Sequence, residues 1–147
     1  MSEAELPSVH DLRIDTIKGF RDPRGVLFPA ELPALAGFAP VRLFWVGEVP
    51  PGTIRGGHGH RVCRQYLICC IGRVGVAVFD GKEERRLMLE QGQAVLLPPG
   101  IWASEIFEAP DSLLLVLCDR AYEPDEYIRS RDDFVAYRTA AAQQRGF

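Results

Sequence analysis

The residues best suited to chemistry lie in one short run, Gly52-Thr-Ile-Arg55-Gly-Gly-His58-Gly-His60, followed by Gln65 and Gly72. His58 and His60 are two apart, so on an extended strand both imidazoles project from the same face. An unperturbed imidazole titrates near pH ~6.5, which suits a group that takes up a proton and returns it. Two such rings also make half of a metal site, but a divalent ion ordinarily needs three or four nitrogen, oxygen or sulfur ligands. The third histidine, His10, lies in the polar N-terminal segment, and Gln65 is a neutral, weak ligand. Glu105 is the one nearby carboxylate that reopens the metal question. Metal-free proton transfer by His58 and His60 is therefore the expectation. Arg55 and the glycines 56, 57 and 59 strengthen it, because glycine lets a ligand approach the backbone closely.

The elements that must hold this pair are almost all strands. Short runs rich in Val, Ile, Leu and Phe recur at Val41–Val49, Cys63–Ile71, Val74–Phe79, Arg86–Leu89, Ala94–Leu97, Ser104–Phe107 and Leu113–Asp119. Gly, Pro or Asp-Gly separates them, with no helical period between. Residues Ile14 to Phe28 read as a strand, a turn at Arg21-Asp-Pro-Arg-Gly25 and a second strand. Asp80-Gly81 reads as the central pair of a type I′ hairpin, both of whose positions need positive φ. Only the tail, about 126–144, has helical character. The expected fold class is all-β, a sandwich or barrel.

With 147 residues and 47% apolar content, the chain fits one domain with one core. The net charge of −3 comes from 17 basic and 20 acidic residues scattered along the chain, which argues against a nucleic-acid partner. No apolar stretch approaches the ~20 residues of a membrane helix, and the acidic start lacks the pattern of a signal peptide, so a cytoplasmic protein with no membrane partner is expected. Cys63, Cys69, Cys70 and Cys118 sit in apolar runs without paired short spacings and read as buried thiols.

The run from Gly52 to Gly72 resembles the first motif of the cupin superfamily, with Gln65 in place of its glutamate. Gly92, Pro98, Pro99 and Gly100 resemble the second motif, with Ala103 where that motif has histidine. The resemblance implies a double-stranded β-helix (jelly-roll) barrel over about 14–120 and a C-terminal extension, with a short helical tail, over about 121–147. More specifically, the chain resembles the nucleotide-sugar 3,4-ketoisomerases that act on dTDP-4-keto-6-deoxy-glucose. Arg55-Gly-Gly-His-Gly-His, Gln65, Asp80-Gly81, Trp102 with Glu105, Tyr122 to Arg129, Phe134 and Arg24-Gly25 carry the likeness, which spans about 14–137. It departs in the strand holding Phe44, Trp45 and Gly47, where the family carries tyrosines, at Gly59 in place of alanine, and at Arg131 in place of a later tyrosine.

That resemblance implies a metal-independent isomerase with no cofactor, moving a ketone from C4 to C3 in deoxysugar biosynthesis. His58 would be the base, with His60 setting its tautomer or relaying protons. Arg24, Arg55, Gln65, Trp102, Glu105 and Tyr127 would bind substrate, the arginines through diphosphate oxygens. A homodimer exchanging N-terminal strands is also implied. Three alternatives stay open: a non-catalytic sugar-nucleotide-binding cupin, a metal-dependent oxidoreductase using His58, His60 and Glu105, and an isomerase or epimerase of another keto-sugar nucleotide.

Overall fold

The computed structural model describes residues 5–144. Three short strands, β1 (Ile14–Thr16), β2 (Phe20–Asp22) and β3 (Gly25–Leu27), precede β4 (Arg42–Val46) and β5 (Thr53–His60). Then follow β6 (Gln65–Ile71), β7 (Arg73–Phe79), β8 (Glu84–Glu90), β9 (Gln93–Leu97), β10 (Trp102–Phe107) and β11 (Leu113–Cys118). The chain ends with β12 (Tyr127–Ile128) and helix α1 (Arg131–Gln144).

Two five-stranded antiparallel sheets face each other, in the orders β1-β9-β6-β11-β4 and β12-β5-β10-β7-β8, while β2 and β3 form a separate hairpin. Between the sheets lies the core: Leu67 and Cys69 of β6, Val74, Val76 and Val78 of β7, Leu89 of β8, Phe107 of β10 and Val116 of β11. The unbroken apolar run of β6 has a structural cause. Leu67 and Cys69 face that core, whereas Tyr66 and Ile68 face a second cluster in which Phe38 and Ala36 cover the outside of the sheet. Buried on both sides, the strand has no polar face to show. Among the described residues no helix is long and apolar enough to cross a membrane. Cys63, Cys69 and Cys118 are buried and Cys70 half-buried, all four as free thiols.

Three local expectations change. Asp80-Gly81 is not a two-residue type I′ turn: Phe79 pairs with Glu84, leaving a four-residue loop in which Gly81 but not Asp80 has positive φ. The Asp80 carboxylate accepts from the backbone N–H groups of Val9, Lys82 and Glu83, and this local bonding outcompetes the tighter turn. Between Ile14 and Phe28 there are three strands, β1 pairing with β9 while the β2–β3 hairpin stands apart. Helix also starts later than the tail composition indicated, because Tyr127 and Ile128 are drawn into pairing with His60 and Gly59 of β5.

The feature that positions the site is a bulge. Across β10 and β5, Ala103 pairs with His58 but Ser104 pairs with Gly56, so Gly57 is an extra residue. Gly56 and Gly57 take φ of 80° and 86°. A Cβ at Gly56 would also collide with the Glu105 carboxylate and come within 3.3 Å of the Ala103 carbonyl. Gly56→Ala is accordingly expected to destabilise the fold by about 1–3 kcal/mol, read by urea unfolding. Wild-type stability in that variant would show that the bulge is not constrained there.

Candidate active site

The extra residue in β5 resets the side-chain alternation. Arg55 pairs with Glu105 and His58 with Ala103, and Ala103 and Glu105, two apart on β10, share a face. Arg55, His58 and His60 therefore all face the barrel interior, despite the odd spacing from Arg55 to His58. Tyr127, paired with His60 across β12 and β5, is brought to the same face. A cavity of about 130 Å³ opens there, lined by Arg55, His58, Gln65, Glu105 and Tyr127, with Phe44 and Val116 among its apolar walls. The His58 and His60 ring centroids are 5.0 Å apart, and the Tyr127 ring lies 5.1 Å from the first and 4.5 Å from the second.

Burial pushes the His58 imidazole down to about 4, helped by the neighbouring His60 and Arg129 and opposed only by Glu126. At neutral pH His58 is thus an uncharged base. His60 is held differently. Its Nδ1 donates a hydrogen bond to Glu126 Oε2, deep in the protein, both side chains being 8% exposed. Burial alone would raise the Glu126 carboxyl, but the His60 bond and the backbone N–H groups of Cys63 (3.0 Å) and Val62 (3.3 Å) outweigh it and hold it ionised. An ionised carboxylate can only accept, so Nδ1 carries the proton of this bond, and in the uncharged ring the lone pair is on Nε2. That Nε2 is buried and has no hydrogen-bond partner among the described residues. Burial raises the Glu105 carboxyl to about 7 despite the nearby Arg55, so both protonation states of Glu105 are accessible at neutral pH.

Of the residues singled out in the sequence, Arg55, His58, Gln65, Glu105 and Tyr127 converge on the cavity, with His60 buried beside them. Two are placed elsewhere. Trp102 alternates with Ala103 and so points out of the barrel, where it packs 5.8 Å from the ring of Phe134 on α1. Arg24 stands on the β2–β3 hairpin, its guanidinium paired with Asp22 at 2.6 Å and outside the cavity lining. Ala103 sets a methyl opposite His58, at the position where the second cupin motif has its histidine.

Sequence reasoning passed over Glu126 and Arg42. Glu126 directly precedes Tyr127 in the motif that signalled the tail, and a carboxylate there was the available clue. Arg42 Nη2 donates to the Tyr127 hydroxyl at 3.5 Å and its guanidinium lies 5.5 Å from the Tyr122 ring, so a cation braces the phenol.

The family described as FdtA: WxcM-like, C-terminal matches residues 10–139. The chain belongs to that family. It is 26% identical over 126 residues to the TDP-4-oxo-6-deoxy-alpha-D-glucose-3,4-oxoisomerase of Aneurinibacillus thermoaerophilus, covering 85% of this chain and 91% of that one. The WlaRB TDP-quinovose 3,4-ketoisomerase of Campylobacter jejuni superposes with a TM-score of 0.78 at 26% identity, covering 87% of this chain and 99% of the other. QdtA, a sugar 3,4-ketoisomerase of Thermoanaerobacterium thermosaccharolyticum solved with TDP, gives 0.84 at 24% identity over 91% and 98% of the two chains, a likeness of fold.

Proposed function

We propose that this FdtA-family chain is a metal-independent sugar 3,4-ketoisomerase that moves the ketone of a dTDP-linked 4-keto-6-deoxy-hexose from C4 to C3. The observation that carries this reading is the uncharged His58 imidazole in the cavity, beside a His60 whose tautomer is pinned by Glu126. The related oxoisomerase and ketoisomerase act on TDP-linked sugars, which supports the substrate class.

The C3 hydrogen is acidified by the C4 ketone. His58 takes that proton, the C3–H electron pair becomes the C3=C4 double bond, and the C4 carbonyl oxygen gains the negative charge. A proton then passes from O3 to O4, and His60 Nε2, the acceptor left free by the Glu126 bond, relays it. Return of the first proton from His58 to C4 leaves the ketone at C3, so no oxidant, reductant or metal is consumed. Arg55 supplies positive charge in the cavity wall where the oxyanion develops. Glu105 and Gln65 offer hydrogen bonds to sugar hydroxyls from the same wall.

The test is incubation with dTDP-4-keto-6-deoxyglucose in deuterated water. A 3-keto product carrying deuterium is the expected NMR result; tight binding with neither product nor exchange favours the sugar-binding alternative. His58 also fixes the pH dependence. Its neutral form is the active one, so in a Glu105→Gln background, which removes the cavity carboxyl raised to about 7, kcat/KM stays level from pH 8 to about 5 and falls toward pH 4, where His58 becomes protonated. In that background an acid limb centred near the ordinary imidazole value of ~6.5 would contradict the burial argument. Stability has its own sign: the unfolded chain binds a proton that folded His58 refuses, so stability is lost as pH falls from ~6.5 toward about 4.

A cytoplasmic homodimer belongs to the same reading. Edge strand β4 points Leu43 and Trp45 outward, 51% and 67% exposed, and the β2–β3 hairpin exposes Phe20 and Leu27. Light scattering is expected to return twice the chain mass; a monomer would remove the dimer from the proposal.

A further inference from the structure

Behind the cavity lies a cluster that the isomerisation does not use in full. His60, Cys63 and Glu126, all buried, bring one ligand atom each within 4.8 Å of one another. Cys118 adds a fourth donor, its thiol in hydrogen-bond contact with that of Cys63. The strand pairing explains the meeting: Cys118 pairs with Gln65 across β11 and β6, next to the Cys63 loop, and β12 lies beside β5 at Tyr127 and His60. Two sulfurs, an imidazole nitrogen and a carboxylate oxygen form a donor set suited to tetrahedral zinc. Zinc bonds of about 2.0–2.3 Å place such donors roughly 3.3–3.8 Å apart, a modest contraction for His60, Cys63 and Glu126, with Cys118 swinging in from its contact with Cys63.

We propose that His60, Cys63, Cys118 and Glu126 form an inhibitory site for a thiophilic divalent cation, Zn2+ or Co2+, that switches the isomerase off by capturing His60. Binding displaces the protons of the two thiols to solvent, while the single His60 proton moves from Nδ1 to Nε2. The metal takes the lone pair on Nδ1, so the imidazole's remaining hydrogen must sit on Nε2. His60 then no longer offers the acceptor that the proton relay requires. Two thiolates and a carboxylate around a divalent ion leave one net negative charge. Arg42, whose Nη2 lies 3.5 Å from Cys118 Sγ, is placed to balance it. This site is distinct from the cupin motif positions, since of its four ligands only His60 belongs to them.

Metal binding stands on the cluster alone, whereas inhibition rests on the isomerase reading, and the test separates the two. Metal-free protein is titrated with Co2+ and followed by absorption. One equivalent is expected to produce the visible bands of tetrahedral cobalt and a thiolate-to-cobalt charge-transfer band, both lost in Cys63→Ser and in Cys118→Ser, each checked for folding by circular dichroism. Stoichiometric Zn2+ should erase those bands and lower isomerisation at least tenfold, reversibly with chelator. Cys63→Ser keeps the backbone N–H that holds Glu126, so it should turn over normally and resist Zn2+. Absence of the charge-transfer band, or its survival in folded Cys63→Ser, overturns the site. A bound metal that leaves turnover unchanged overturns the capture of His60. A wild type with no turnover in either condition, but with the bands present, rejects the isomerase reading while leaving the metal site standing.

Discussion

Replacing His58 by asparagine is expected to lower kcat by about 10²–10⁴-fold, the range for loss of a positioned general base, with KM changed by no more than roughly threefold. Asparagine keeps a polar side chain in the cavity wall but has no basic nitrogen. The fold should survive, because the residue opposite His58 is the small Ala103 and the bulge that positions His58 is set by Gly56 and Gly57. Deuterium incorporation should disappear together with product formation, since both begin with removal of the C3 proton. Near-normal turnover in a folded His58→Asn variant would take the base away from this residue and leave His60 or Glu105 to be tested next.

The second large effect belongs to Glu126. In Glu126→Gln the side-chain oxygen still reaches the N–H groups of Val62 and Cys63, so the turn before β12 keeps its contacts. Opposite His60, however, an amide NH2 replaces a carboxylate oxygen. Nδ1 must then accept, the imidazole proton moves to Nε2, and the acceptor for the O3 proton is gone. A kcat loss of about 10²-fold or more with little change in KM is expected, by the same tautomer logic as in catalytic triads. A purely structural role predicts a different pattern, with loss of stability and unchanged turnover per folded molecule. The His60 ring nitrogens are distinguishable by ¹⁵N NMR: Nδ1–H in wild type and Nε2–H in the variant are the expected signals. Glu126→Asp, which restores a carboxylate opposite His60, should recover much of the activity. A variant with the wild-type tautomer and reduced kcat would refute the positioning argument.

The two histidines were legible because a spacing of two residues has one meaning on a strand, and most strands were legible because their apolar runs are local. Strand β5 itself was the least visible by pattern: Thr53–His60 is rich in glycine and histidine and shows no hydrophobic alternation. Its bulge is what carries Arg55 onto the same face as His58, against the parity that an unbroken strand would impose. The same parity rule, applied one strand over, sends Trp102 out to Phe134 although its neighbours Ala103 and Glu105 face inward. Arg24 failed to join the site for another reason: it lies on a hairpin that pairs with neither sheet.

By itself the sequence determined the inventory: two same-facing imidazoles, a methyl-bearing Ala103 and a neutral Gln65 where cupin motifs have a histidine and a glutamate, and glycines able to take positive φ. Those are properties of single residues and short spacings, which chain chemistry sets without reference to distant partners. Only the tertiary structure decided the working states of the pair. His60 meets a carboxylate 66 residues away because β12 adds to the edge of β5, and His58 loses its charge because sheet packing removes water from around it. Proton affinity depends on the solvent and charges that surround a group, and these are assembled by long-range register.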